Sequence, residues 1–209
     1  MAAPRVEFHF DFGSPNSYLA HRVLPEIERR TGVSFVYVPV LLGGVFKATH
    51  NQSPVQAFAH IPSKLAYERL EMERFIARHG LREFRMNEHF PVNTLTIMRG
   101  AVAAEMDGKL GPYVDAVFHY MWEDPRKMDD AEIIRTALDE AKLDGARTLA
   151  RIQEQDVKDK LLKNTEASVA RGSFGSPTFF VGSEMFFGKD RLRDVEDEIE
   201  AQKKGLKPA

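Results

Sequence analysis

The chain has 209 residues, 43% of them hydrophobic and 29% charged, with a net charge of −2 at neutral pH, the profile of a soluble globular protein rather than of a strong polyanion binder. It holds no cysteine, which excludes disulfides, side-chain thiolate catalysis and Cys-ligated metals. No apolar run approaches the roughly 20 residues of a membrane span. The start, Met1-Ala2-Ala3-Pro4-Arg5, has neither the apolar stretch of a signal peptide nor an Arg/Ser-rich presequence, and a cytoplasmic protein is expected. Val6 to Phe12 alternates, with Val6, Phe8 and Phe10 against Glu7, His9 and Asp11, and predicts a strand. Ser14-Pro15 then reads as a helix start, Ser at N-cap and Pro at N1. Leu19, Val23, Leu24 and Ile27 follow at helical spacing up to Thr31-Gly32. Residues 33–40 are β-branched and aromatic and predict a second strand. The opening is therefore β-α-β, with a parallel strand pair.

From Ser63 to about Ala170 helical patterns continue: Leu65 to Arg78, Thr94 to Met106, Pro112 to Trp122, Ala131 to Ala141, Ala146 to Gln153 and Val157 to Ala170. Gly80, Gly108 and Gly145 punctuate them. Residues 178–181 and 185–187 flank Gly182-Ser183-Glu184 and predict a hairpin; Asp190 to Ala201 closes the chain as an amphipathic helix. The order β-α-β, helices, β-β-α matches a thioredoxin-like α/β fold with an all-helical insertion. Residues 1–50 and 171–209 then form the thioredoxin-like part, and 51–170 the inserted helical domain.

Ser14-Pro15-Asn16-Ser17 has the frame of a C-P-x-C redox motif with hydroxyls in place of both sulfurs. Such a fold demands a cis proline just before its third strand, beside the helix N-terminus; Gly175-Ser176-Pro177-Thr178 supplies one. Ser14 is open to two readings, a plain N-cap or a hydroxyl aimed at a ligand thiolate. A helix N-terminus carries roughly half a positive charge, and such a site lowers a thiol pKa from about 8.5. Serine forms no mixed disulfide, so a ligand's thiol stays nucleophilic. Asn93 either caps the following helix or lines a substrate pocket. Lys47 is a solvated surface lysine or a contact for a substrate carboxylate. Trp122 reads as core. The histidines show no metal-binding spacing, so no metal is expected.

The segments "FDFGSPNSYLA", "FKATHN", "FPVNTL", "FGSPTFFV" and "FFGKDRL" resemble the 2-hydroxychromene-2-carboxylate isomerase family, kin of kappa-class glutathione transferases, in order and over nearly the whole chain. The resemblance implies a DsbA-like thioredoxin fold with a helical insertion, a homodimer and a glutathione cofactor. It implies that Ser14 is the catalytic serine and that Asn51 lies near the ligand thiol or glycyl end. It further implies that the backbone of Ser176, beside Pro177, pairs with the cysteinyl moiety, that Asp190 meets the γ-glutamyl amine and that Lys64 approaches the glycyl carboxylate. Two positions depart from the family pattern. Ser176 stands where a branched apolar residue is common, a change of small consequence if only its backbone is used. Lys189 stands where the kappa enzymes have serine, which weakens the γ-glutamyl carboxylate grip or replaces it with a charge contact.

The resemblance implies reversible addition of the cofactor thiolate to a small aromatic substrate, an isomerisation associated with naphthalene-like degradation. A kappa-like transferase and a non-catalytic glutathione- or peptide-binding module are the alternatives. An isomerase leaves glutathione unconsumed, a transferase depletes it, and a binder turns over neither.

Overall fold

A computed structural model describes residues 4–205. Strand β1 (Val6–Phe10) leads into helix α1 (Pro15–Thr31). Ser14 is its N-cap, in extended conformation, and its side chain accepts from the Ser17 N–H; Gly32 ends the helix at φ +68°, a conformation glycine adopts without strain. Strand β2 (Phe35–Pro39) follows.

Next come α2 (Leu42–Thr49), α3 (Pro54–Ala57), α4 (Pro62–His79), α5 (Leu95–Met106), α6 (Leu110–Trp122), α7 (Ala131–Glu140), α8 (Gly145–Arg151) and α9 (Gln155–Ala170). The chain closes with β3 (Thr178–Val181), β4 (Glu184–Phe187), a single 3-10 turn at Lys189–Arg191, and α10 (Leu192–Lys203). The order of elements is the expected one. The differences are local. Helices α2 and α3 lie where no helix is expected from the pattern: α2 opens with Leu42-Gly43-Gly44, which reads as a breaker, and α3 is only 4 residues long. The hairpin turn is Gly182-Ser183 alone, with Val181 paired to Glu184, so the second strand starts one residue early. The last helix begins at Leu192, because residues 189–191 form the tighter turn.

The sheet runs β2-β1-β3-β4, with β1 parallel to β2 and antiparallel to β3. Register places Val6, Phe35 and Val181 in one row and Phe8, Tyr37 and Phe179 in the next. Phe8 stacks on Phe179 with centroids 5.2 Å apart, and Tyr37 reaches α1 through a 2.8 Å hydrogen bond with His21 Nδ1. Helix α10 packs against α1 and β3 through Leu192, Val195 and Ile199.

The opposite face is also covered. Every residue of β1 is buried, Glu7 and His9 included. The alternation in sequence therefore separates two buried faces rather than an inner and an outer one. His9 Nδ1 meets Ser168 Oγ of α9 at 2.8 Å. Most of the buried apolar side chains form one cluster from Val6 through Trp122 to Ile199. Trp122 is fully buried, as expected, and its Nε1–H donates to the Phe12 carbonyl at 2.9 Å, tying the end of α6 to the β1–α1 turn. Among the described residues no helix is long and apolar enough to cross a membrane.

Candidate active site

Three segments meet at the start of α1. The Ser176–Pro177 peptide bond is cis, as expected. Ser14 Oγ donates to the Ser176 carbonyl at 2.9 Å and accepts from the Ser17 N–H at 3.2 Å. The two readings of Ser14 are thus compatible: it caps α1, and its hydroxyl also faces the backbone beside Pro177. The Asn16 and Ser176 N–H groups have no acceptor among the described residues. Ser14 and Ser176 are 6% and 8% exposed, so the corner is recessed but reachable.

The Ser176 side chain matters more than its expected backbone role implies. Its Oγ accepts from the Asp11 N–H at 3.0 Å and lies 2.8 Å from Ser17 Oγ. A hydroxyl at 176 is matched by a hydroxyl at 17, and an apolar residue there would leave Ser17 Oγ and the Asp11 N–H without this partner. Asp11 is a residue that sequence reasoning missed. Its carboxylate accepts from the N–H groups of Gly13 (2.8 Å) and Leu42 (2.7 Å) and from Thr94 Oγ1 (3.1 Å). Complete burial raises its pKa, opposed by those donors. The signal was present in Asp11-Phe12-Gly13, since aspartate commonly accepts from the N–H two residues on.

Asn51 Nδ2 donates to the Phe174 carbonyl at 2.8 Å, joining the end of α2 to the loop before Ser176. Phe174 and Phe187 are exposed and packed together at 4.5 Å. The Gly188 N–H donates to the Pro177 carbonyl at 3.0 Å, which brings Lys189 and Asp190 to the same edge. Lys189 is 4% exposed; its Nζ lies 5.0 Å from the Phe75 ring centroid and donates to Asp190 Oδ1 at 2.6 Å. Asp190 itself is largely exposed. One of its oxygens already holds the buried Lys189 cation, and it is the Asp190 carboxylate that is exposed.

Lys64 forms an exposed pair with Glu68 at 2.9 Å and lies over the Phe58 ring. Asn93 Oδ1 accepts from the Leu95 N–H at 3.1 Å, which supports the capping reading. Lys47 is exposed on α2. Among the described residues no hydrogen bond links Lys64, Lys47 or Asn93 to Ser14 or Ser176, although Asn93 precedes Thr94, which reaches Asp11. No group of three or more His, Asp or Glu among them could hold a metal ion.

The corner offers an anion a hydroxyl donor and a helix-terminal N–H, and offers an extended peptide the N–H and carbonyl of Ser176. A thiol-bearing peptide fits that donor set. The model for the DSBA-like thioredoxin domain matches residues 5–200. The chain belongs to that family. Within it, a 2-hydroxychromene-2-carboxylate isomerase of Pseudomonas sp. (strain C18) is 29% identical over 196 residues, 93% of this chain and 89% of its own. Glutathione S-transferase kappa 1 of Rattus norvegicus is 28% identical over 204 residues, 91% and 88% of the two chains. A solved 2-hydroxychromene-2-carboxylate isomerase superposes with a TM-score of 0.79 at 25% identity, covering 97% of this chain and 99% of that one. The DsbA-like fold and the kinship expected from the sequence motifs are both borne out.

Proposed function

We propose that this chain is a glutathione-dependent isomerase interconverting 2-hydroxychromene-2-carboxylate and trans-o-hydroxybenzylidenepyruvate, or a related aromatic α-keto acid. The observation that carries the reading is the Ser14 hydroxyl at the start of α1, 2.9 Å from the Ser176 carbonyl, in a chain without cysteine. Bound glutathione supplies the nucleophilic sulfur, whose reversible addition to a conjugated acceptor makes a double bond single and permits rotation.

The chain's own groups prepare that sulfur. Ser14 Oγ–H turns from the Ser176 carbonyl to donate to the thiolate, and a hydrogen bond to a charged group contributes about 1.5–3 kcal/mol against about 1 for a neutral one. The Asn16 N–H adds the positive end of α1. The Ser176 N–H and carbonyl pair with the cysteinyl backbone. Lys189 and Asp190 receive the carboxylate and amine of the γ-glutamyl end, and Asn51 and Lys64 serve the glycyl end. Lys47 is the group for the carboxylate of the aromatic acceptor, and Asn93 lines the acceptor pocket.

A glutathione transferase is the second reading, favoured by the 28% identity to the rat kappa enzyme. Mass balance separates the two. Purified protein is given the chromene with and without glutathione, and product and free thiol are followed together. Conversion that requires glutathione and leaves its concentration constant supports the isomerase. Stoichiometric depletion overturns it in favour of the transferase, and absence of conversion overturns the isomerase for this substrate.

A further inference from the structure

We propose that the Asp11 carboxylate is a positioning group that registers the acceptor half of the site against the thiol half. The inference rests on the isomerase reading above. Asp11 makes two separate sets of contacts. Its backbone serves the thiol half: the carbonyl accepts from the Ser14 N–H at 3.1 Å and the N–H donates to Ser176 Oγ at 3.0 Å. Its side chain joins the two halves: Oδ1 accepts from the Gly13 N–H, in the turn before Ser14, at 2.8 Å, and Oδ2 serves the other half. Oδ2 accepts from the N–H of Leu42, the first residue of α2, and from Thr94, the N-cap of α5. Residue 41, the N-cap of α2, is a leucine with no side-chain cap bond, so Asp11 caps that helix from another segment.

Helix α2 carries Lys47, and Asn93 immediately precedes Thr94. These are the two residues assigned to the acceptor, Lys47 to its carboxylate and Asn93 to its pocket. Their distance from the Ser14 corner is therefore set through one side chain that is 0% exposed. The packing leaves little slack: a Cβ on Gly13 would lie 3.0 Å from Thr94 Cγ2 and 3.3 Å from Asp11 Oδ1. Oδ1 takes the Gly13 N–H and Oδ2 takes two donors. Both oxygens must accept. Asparagine has the same shape but turns an NH2 toward one of these donor sets.

The test compares Asp11→Asn, Thr94→Val and Thr94→Ser with the wild-type protein. Four quantities are read: kcat and KM for 2-hydroxychromene-2-carboxylate at saturating glutathione, glutathione Kd by calorimetry, amide exchange at Gly13 and Leu42, and folded fraction by circular dichroism. Asp11→Asn keeps the backbone contacts to Ser14 and Ser176. Glutathione Kd should therefore stay unchanged while KM for the chromene rises and kcat falls about ten- to a hundredfold, the scale of a misplaced reacting pair. Thr94→Val should move the same way by less, and Thr94→Ser should restore wild-type values. Glutathione affinity lost in step with activity, activity lost only in step with the folded fraction, or unchanged kinetics each overturn the proposal. A wild-type protein inert toward the chromene sinks the isomerase reading alone. Asp11 is then judged by exchange: Leu42 protection reduced about tenfold at unchanged glutathione Kd upholds its role, and unchanged protection overturns it.

Discussion

Strand β1 and the turn that follows it supply two buried polar networks, a few residues apart, built largely from the same hydroxyl chemistry. In one, His9 Nδ1 meets Ser168 Oγ at 2.8 Å, and Ser168 Oγ donates to Ser173 Oγ at 2.7 Å. Glu7 Oε2 stands 3.5 Å from His9 Nε2, and Glu7 is gripped by Arg171 and by Arg5. Serine, histidine and glutamate in a row are the residue types of a hydrolytic triad. Yet Ser168 is 0% exposed and Ser173 1%, so no substrate reaches either hydroxyl. Around Asp11, the hydroxyls of Ser14, Ser17 and Ser176 gather at a helix start with backbone N–H groups still open. Residue types alone do not distinguish an active corner from a latch. Access and unspent donors do.

The sealed network should show itself through pH. Burial lowers the His9 pKa to about 4 from an ordinary 6.5, with Glu7 pulling the other way. Burial also pushes the Glu7 carboxyl upward, but the Arg171 hydrogen bond and charge hold it below the ordinary range. The unfolded chain takes up the histidine proton first as pH falls. The contribution from a neutral His9 is complete above about 6.5 and is lost as pH falls toward 4. A shift of this size corresponds to about 3 kcal/mol. Urea unfolding of the wild type and His9→Asn between these pH values isolates it from the other histidines. The variant should show a flatter dependence over that window, and equal slopes would remove His9 as the cause. Ser14→Ala should leave that slope untouched.

The open corner should show itself through rate. Under the proposed function, Ser14→Ala removes the hydroxyl that would act on the sulfur, while most tripeptide contacts would lie elsewhere. Turnover should fall about ten- to a hundredfold, equivalent to about 1.4–2.7 kcal/mol, with glutathione Kd little changed. Ser168→Ala should lower the unfolding midpoint and leave kcat as it was. If Ser14→Ala keeps full activity, Ser14 is a helix cap only. Ser14→Cys sharpens the contrast further. Its thiolate can displace one thiol from oxidised glutathione and hold the other as a mixed disulfide, released glutathione balancing the exchange. Ser168→Cys, sealed on the buried face of α9, should not react.

Much of this corner was legible in the sequence because the relevant signals are local. Ser14-Pro15 announces a capped helix start, and Ser176-Pro177 announces its place before β3. The two met in space because the order of elements left one topology to consider. What was not legible depends on neighbours distant in sequence. Asp11 and His9 read as the outer side of an alternating strand, because nothing in residues 6–12 reveals that α9 and the α2 and α5 termini cover that side. Ser17 looked like the relic of a motif until the residue 159 positions away proved to be its hydrogen-bond partner. Lys189 was expected to weaken the γ-glutamyl carboxylate grip or replace it with a charge contact, and nothing near it in sequence shows that its side chain is buried against Phe75 of α4. Helix α2 was hidden by its paired glycines, and its start is capped by Asp11 rather than by a residue of its own.

The smallest expected effect concerns the serine pair itself. Ser17 Oγ and Ser176 Oγ are 2.8 Å apart, with Ser17 0% and Ser176 8% exposed. Each single change to alanine leaves the other hydroxyl without that partner. Ser176→Ala also removes the acceptor of the Asp11 N–H, so it should cost more stability than Ser17→Ala. If the two hydroxyls act as a pair, the double variant should lose less than the sum of the singles, with a coupling of about 0.5–1 kcal/mol. Denaturant unfolding of the four proteins measures it. Ser17→Ala should leave catalysis nearly intact, because in the proposed mechanism the hydroxyl that donates to the sulfur is that of Ser14, not that of Ser17. A coupling of zero would mean that each hydroxyl finds water or another partner once its neighbour is gone. A coupling confined to kcat, with none in stability, would move Ser17 from the scaffold into the reaction itself.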